Sequence, residues 1–238
     1  MDVVGDLVGR ERRSEDLAIR TASRAGSYSY ETFCTNCWKT GNLLRHYGVR
    51  SGATVAVDSG DSMTQPPILA CFGASLLGAT VQLDPATRTD AKALLAPGSR
   101  MDNYDASPGT KQLVYGDVPE DPSYGHFEAE MWSENPTEPP DVVEPSASLL
   151  ATDGGTVTHG AAIEAANRVV AEHGLDDTDE VALRASLAHP GTVVAGLLAP
   201  ISAGGTVLLD LEATGTVAVG DPEQGVEESV VMDPEAVF

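Results

Sequence analysis

The stretch SASLLATDGGTVTHGAAIEAANRVV (Ser146–Val170) opens as an apolar strand and closes as an alanine-rich helix. A Thr-Asp-Gly-Gly-Thr turn, Thr152–Thr156, joins the two. Strand, glycine turn and helix together make a common phosphate holder, because the turn's N–H groups and the helix N-terminus both attract anions. Here the turn is short, its polar centre is the carboxylate of Asp153, and no lysine follows it. The reading of this segment decides both the fold and the chemistry expected of the chain.

Working outward, the same alternation recurs. Upstream, LAIRTASRAGSYSY reads as two short strands around an Arg-Ala-Gly turn. Ser29 caps a helix in which Phe33, Cys37, Leu44 and Tyr47 recur at near-helical spacing, and Gly48 stops it. A buried strand is expected at Thr54–Val57, a compact helix over QPPILACFGASLLG, a strand in ATVQLDP, a short helix in TDAKALLA and a strand in KQLVYGD. Downstream, strand Ser148–Ala151 leads to helix Ala161–His173, strand Val181–Ser186, helix Gly191–Ala203 and strand Thr206–Leu211.

Strands alternating with helices of this length predict an α/β protein with largely parallel sheets flanked by helices. The Pro-, Glu- and Asp-rich stretch Gly116–Pro145 breaks the rhythm and reads as a surface crossover. The expected organisation is therefore a first lobe over 1–115, an acidic crossover over 116–145, a second lobe over 146–213 and a closing tail over 214–238. Two strand-like runs in the tail, TVAV and SVVM, are placed to fold back and cover exposed sheet edges.

The charge narrows the function class. The chain holds 36 Asp and Glu against 14 Lys and Arg, a formal net charge of −22. Its only lysines are Lys39, Lys92 and Lys111. Such a surface repels nucleic acid and anionic membranes. Dispersed acid, scarce lysine and small apolar side chains read as a protein of a salt-loaded cytoplasm, as in halophilic archaea. No apolar run approaches the ~20 residues of a membrane span, and the N-terminus lacks a secretory pattern, so the expected location is cytoplasmic. Cys34 and Cys37 form a C-x-x-C on a helix and read as small apolar residues of its inner face rather than a redox pair or metal site.

Several segments, in this order, resemble the N-terminal domain of adenylate-forming enzymes, the superfamily of acyl-CoA synthetases, peptide-synthetase adenylation domains and luciferases. SYSYETF…LLRHYGVRSGATVAV resembles the family's opening, and ILACFGASLLGATVQLDPATR its next helix and strand, ending at Asp84-Pro85. VTHGAAIEAANRVV resembles the Thr-His helix start after the family's phosphate loop, and DEVALRASLAHPGTVVAGLLAPISAGGTVLL the units beyond it. The resemblance covers about residues 17 to 211.

It implies that ATDGGTVTHG stands where the family carries Thr-Ser-Gly-Thr-Thr-Gly-x-Pro-Lys-Gly around the ATP phosphates. Thr152, Gly154, Thr158 and His159 remain, Asp153 replaces the serine, and most of the loop with its lysine is missing. Thr152, Asp153, Gly154, Gly155, Thr156, Thr158 and His159 are thus expected as a remnant phosphate loop. The N–H groups of Gly154, Gly155 and Thr156 suit a small anion but not a triphosphate. His189 falls near the family's histidine beside the acyl pocket, and reads equally well as a turn histidine before Pro190. The family's Tyr-Gly-x-Thr-Glu motif, its ribose-binding Asp and its C-terminal catalytic Lys have no counterpart in this sequence.

The expectation is a non-catalytic relative of AMP-dependent acyl-CoA synthetases, acting as a binding or interaction module without cofactor or metal. Its expected partners are a full-length ligase, an acyl-carrier protein or a second copy of itself. The alternative is an AMP-forming ligase component that uses ATP, Mg²⁺ and CoA once a partner subunit completes it. Composition yields the first testable outcome. Self-repulsion of so many carboxylates opposes the compact state, and at 1 M salt the screening length is only ~3 Å. The thermal midpoint should therefore rise between 0.1 M and 3 M KCl in a scanning melt, and a flat profile would contradict the high-salt reading.

Overall fold

The computed structural model describes residues 1–222 and 227–238. In chain order, after a 3₁₀ segment that buries Val4, Leu7 and Val8, β1 spans Leu17–Arg20 and β2 Tyr28–Ser29. α1 is Tyr30–His46, entered through Ser29, whose Oγ accepts from the Thr32 N–H at 3.3 Å. Gly48 then turns the chain out of the helix at φ +83°. β3 is Thr54–Val57, α2 Gln65–Ser75 and β4 Thr80–Leu83. β5 is Arg88–Thr89, β6 Ala93–Pro97, β7 Asp105–Ala106 and β8 Lys111–Tyr115. β9 (Gly125–His126) and α3 (Phe127–Trp132) precede β10 (Ser148–Thr152) and β11 (Gly155–Thr158).

α4 is His159–His173 and β12 Glu180–Leu183. α5 (Pro190–Val193) runs through a π turn at Val194–Leu198 into α6 (Ala199–Ala203). The Ala199 N–H bonds the Val194 carbonyl, just ahead of Pro200. Proline has no N–H to continue the ordinary ladder, and the wider turn absorbs that loss. β13 is Thr206–Leu208, β14 Val217–Val219 and β15 Val231–Met232. No helix among the described residues is long and apolar enough to cross a membrane.

The chain forms two compact units that interleave rather than follow each other. One comprises residues 1–34 and 160–238, the other 35–159. This replaces the expected contiguous lobes at 1–115 and 146–213. The reason is strand pairing: β1 joins β13 in parallel (Ile19 opposite Val207), while β10 joins β4 (Leu150 opposite Val81). The first unit's sheet runs β15-β14-β12-β13-β1-β2, parallel except for β2. The second runs β11-β10-β4-β3-β6-β8-β9, parallel except for β11. β5 and β7 pair separately.

Three further expectations change, and one holds. TDAKALLA is not a helix: its ALLA core is β6, wedged between β3 and β8 with Ala93, Leu94, Leu95 and Ala96 all buried. Alanine and leucine favour helix locally, but a central parallel strand buried on both faces needs only apolar side chains, and burial wins. The stretch 116–145 is more than a surface crossover, because β9 extends the sheet and α3 buries Phe127 and Met131 one turn apart. The strands expected to reach Ser186 and Leu211 end at Leu183 and Leu208. The tail, as expected from its two strand-like runs, adds β14 and β15 to the first sheet.

Within the second unit, α1 and α2 meet through two glycines. A Cβ on Gly73 would lie 2.6 Å from Thr40 Cγ2 and 2.9 Å from the Gly41 backbone nitrogen. One on Gly41 would lie 3.2 Å from the Gly73 carbonyl. Against Gly73 stand a backbone nitrogen and the short, fully buried, β-branched Thr40 side chain, neither of which is the far end of a flexible chain, so a methyl there forces the helices apart. Gly73→Ala should therefore cost about 1–3 kcal/mol through overpacking, despite alanine's better helix propensity. Urea unfolding at fixed salt measures it; a neutral or stabilising result would mean the helices slide apart freely.

Candidate functional site

The opening stretch is a β-hairpin. β10 and β11 pair antiparallel, with Ser148 opposite Thr158, Ala151 opposite Thr156 and Thr152 opposite Gly155. Only Asp153 and Gly154 remain as the loop. This corrects the expected passage from strand through glycine turn into helix. A two-residue Asp-Gly loop between strand-like runs is a strong hairpin signal that the glycine-turn reading passed over. The consequence is chemical. N–H groups along a strand point alternately to either side, whereas an anion cradle needs successive N–H groups converging on one point. Gly155 and Thr156 are strand residues, and Thr156 Oγ1 is engaged by the Ser148 hydroxyl at 3.2 Å.

The hairpin delivers the chain directly to α4. Thr158 ends β11, and His159 opens the helix with its N–H on the Ala147 carbonyl at 3.0 Å and its side chain fully buried. The remnant-loop set from Thr152 to His159 is thus held together in one supersecondary unit. His189 belongs to the other unit, at the start of α5. Its Nδ1 accepts the Gly191 N–H at 3.1 Å, and its Nε2 lies 3.2 Å from the exposed Glu235 carboxylate. It acts as the helix N-cap, a role that the turn reading of this residue anticipates.

Each unit also buries a carboxylate against an arginine, which no sequence motif announced. In the second unit the strand order reverses between β3 and β6, the kind of crevice where open α/β sheets hold ligands. The chain's own groups fill it. Asp58, just after β3, is fully buried and accepts from Tyr104 Oη at 2.6 Å and the Gly60 N–H at 2.9 Å; Arg100 Nε lies 3.0 Å away. Tyr115 Oη donates to the Asp58 carbonyl at 3.0 Å. Asp84, at an unusual φ of +42°, accepts both the N–H and the hydroxyl of Ser59. Burial and the Asp58 carboxylate together push the Tyr104 phenol well above the usual tyrosine range.

Beside this network, at the ends of β6 and β8, lies a cavity of about 440 Å³ lined by Ser99, Asp102, Asp117, Glu120, Asp121 and Tyr124 among others. Walls so acidic repel phosphate. In the first unit, Arg184 meets Glu228 of the tail at 2.6 Å, the Glu228 side chain being fully buried. No group of His, Cys, Asp and Glu suited to a metal ion occurs among the described residues. Cys34, Cys37 and Cys71 are buried and not joined in disulfides, and burial pushes the Cys34 thiol up to about 11. That is the opposite of a reactive thiolate.

No protein-family model matches the sequence, and no curated protein does. Solved structures do. The anthranilate CoA ligase AuaEII, solved with anthranoyl-AMP, superposes with a TM-score of 0.76 at 18% identity, over 92% of this chain and 49% of the ligase. A benzoate CoA ligase from Burkholderia xenovorans LB400 gives 0.75 at 20%, over 93% and 50%. A long-chain-fatty-acid-CoA ligase, FadD1, from Archaeoglobus fulgidus gives 0.75 at 16%, over 94% and 52%. The chain thus spans about half the length of these ligases. At such identities the likeness is one of fold, and the fold is that of the N-terminal domain of acyl-CoA synthetases.

The Asp58 network sets its own test. Tyr104→Phe removes one donor from a buried carboxylate and should cost about 1–3 kcal/mol at neutral pH. Because the folded phenol ionises above its ordinary 10.0, its stabilisation is complete below that pH and fades as pH rises through the folded value. The variant should therefore lose less stability than the parent above pH 10. Denaturant titrations at pH 7 and pH 11 check both signs.

Proposed function

We propose that this protein is a non-catalytic relative of the adenylate-forming acyl-CoA synthetases, serving as a binding or interaction module. The observation that carries this reading is the two-residue Asp153–Gly154 loop. At the point where the resembling family wraps a triphosphate, this chain makes a tight turn with a carboxylate at its tip. An ATP-binding loop needs converging N–H groups and a cation to offset phosphate charge. The hairpin offers neither, and none of the three lysines lies near it in the chain. The acidic cavity walls and the self-filled crevice at Asp58 point the same way, away from an anionic nucleotide. Its composition supports a high-salt cytoplasm as its setting, and the partners we propose for it are a full-length ligase, an acyl-carrier protein or a second copy.

Calorimetry with Mg-ATP in molar KCl should show no saturable heat, and carboxylate-dependent pyrophosphate exchange should stay at background. A site tighter than about 1 mM, worth ~4 kcal/mol, would overturn the reading in favour of a ligase component completed by a partner.

A further inference from the structure

Arg184 follows β12 and is almost wholly buried, its side chain only 13% exposed. Its guanidinium is oriented from two sides by main-chain oxygens of the β13–β14 connection. Nη1 donates to the Asp210 carbonyl at 3.0 Å and Nη2 to the Ala213 carbonyl. The remaining direction faces a carboxylate, that of Glu228. Glu228 Oε1 takes Arg184 Nη2 at 2.6 Å and the Gly215 N–H at 3.2 Å. The other oxygen, Oε2, is buried with no hydrogen-bond partner among the described residues. Guanidinium and carboxylate match best when both oxygens are engaged. Here one oxygen collects both donors and its twin has none, so the tail residue fills the place incompletely.

The segment carrying Glu228 forms the outer edge of its sheet. β15 holds β14 through the Ala218 N–H on the Val230 carbonyl at 2.9 Å and the Gly220 N–H on the Met232 carbonyl at 3.1 Å. Beyond it the Pro234 carbonyl rests on Gly191, where an added Cβ would lie 1.9 Å from that oxygen. Arg168 Nη2 donates to the Val237 carbonyl at 3.1 Å, Glu235 meets His189 at 3.2 Å, and Met232 and Val237 are buried. This strap is still a sheet edge whose local opening costs less than global unfolding.

We propose that Arg184 and the Gly215 N–H form a carboxylate-binding site that Glu228 occupies from within, and that a small carboxylate takes the same donors when the segment 227–238 lifts. The ligand class follows from the donors: a planar guanidinium held in place by two carbonyls beside one backbone N–H. A free carboxylate is not tethered to the backbone and can turn to present both oxygens. Its advantage over Glu228 is this second oxygen, and the tail moves only as far as that difference in affinity drives it. The site lies in the unit formed by residues 1–34 and 160–238, and it stands whether or not the hairpin of the other unit binds nucleotide.

Two measurements test it. Glu228→Ala leaves the arginine facing a carboxylate-sized gap. Potassium formate or acetate should raise that variant's thermal midpoint by about 2–4 °C over KCl at equal ionic strength, saturably. The double variant Arg184→Met, Glu228→Ala should not respond. In the parent protein, formate should speed amide exchange at Ala218 and Gly220 by about threefold or more as the strap lifts, and chloride should not. The proposal is overturned if chloride and formate act alike on Glu228→Ala or if the double variant keeps the response. Should Glu228→Ala fail to fold, the parent decides alone: unchanged exchange at both amides overturns it.

Discussion

Parallel strand pairing is the constraint on which the rest of this molecule depends. A parallel neighbour cannot be reached by a tight turn, so each pairing forces a crossover and buries both faces of the strand. This is why β1 finds its partner in β13, far along the chain, and why β10 returns to β4. It also explains the choice of side chains. β3, β6 and β12 carry alanine, valine and leucine at nearly every position, and in the second unit α1 and α2 approach closely at Gly41 and Gly73. Small apolar residues in the buried strands follow from the same geometry.

The two antiparallel elements matter because they depart from that rule. β2 closes one edge of the first sheet, and β11 closes one edge of the second. β11 exists because Asp153-Gly154 turns the chain back at once, using residues that would otherwise form an open loop. On this edge strand alternate N–H groups pair with β10 and the others point singly outward, which is not the convergent arrangement of an anion cradle.

Buried charge is handled alike in both units. Asp58 and Glu228 are carboxylates with fully buried side chains, and each is answered by an arginine and a backbone N–H. Breaking such a pair strands a charge in a poor solvent, and that penalty fixes the loops that contribute to it. In the second unit the network ties the ends of β3, β6 and β8; in the first it ties the tail to the sheet. The difference is completeness. Asp58 has donors on both carboxylate oxygens, whereas Glu228 leaves one bare, and only the second arrangement leaves something for a ligand to gain.

Most elements were legible in the sequence, because alternation, caps and glycine stops act over a few residues. Thr54–Val57 falls where its apolar run predicts, Ser29 caps α1, Gly48 ends it, and the tail's two short runs are strands. The ordered resemblance to acyl-CoA synthetases likewise foretold the fold. What failed was whatever depended on a neighbour remote in the chain. ALLA is a strand only because β3 and β8 flank it, and the two units interleave only because parallel partners lie far apart. The Asp58–Arg100–Tyr104 and Arg184–Glu228 groups carry no fixed spacing, since their members come from different loops. Readable from the chain were the α/β class, the acidic balance and the absence of a lysine after the Asp153-Gly154 turn, all of them properties of composition or of short range. Tertiary structure alone decided which carboxylates are buried and which arginines answer them, because desolvation is a property of the assembled core.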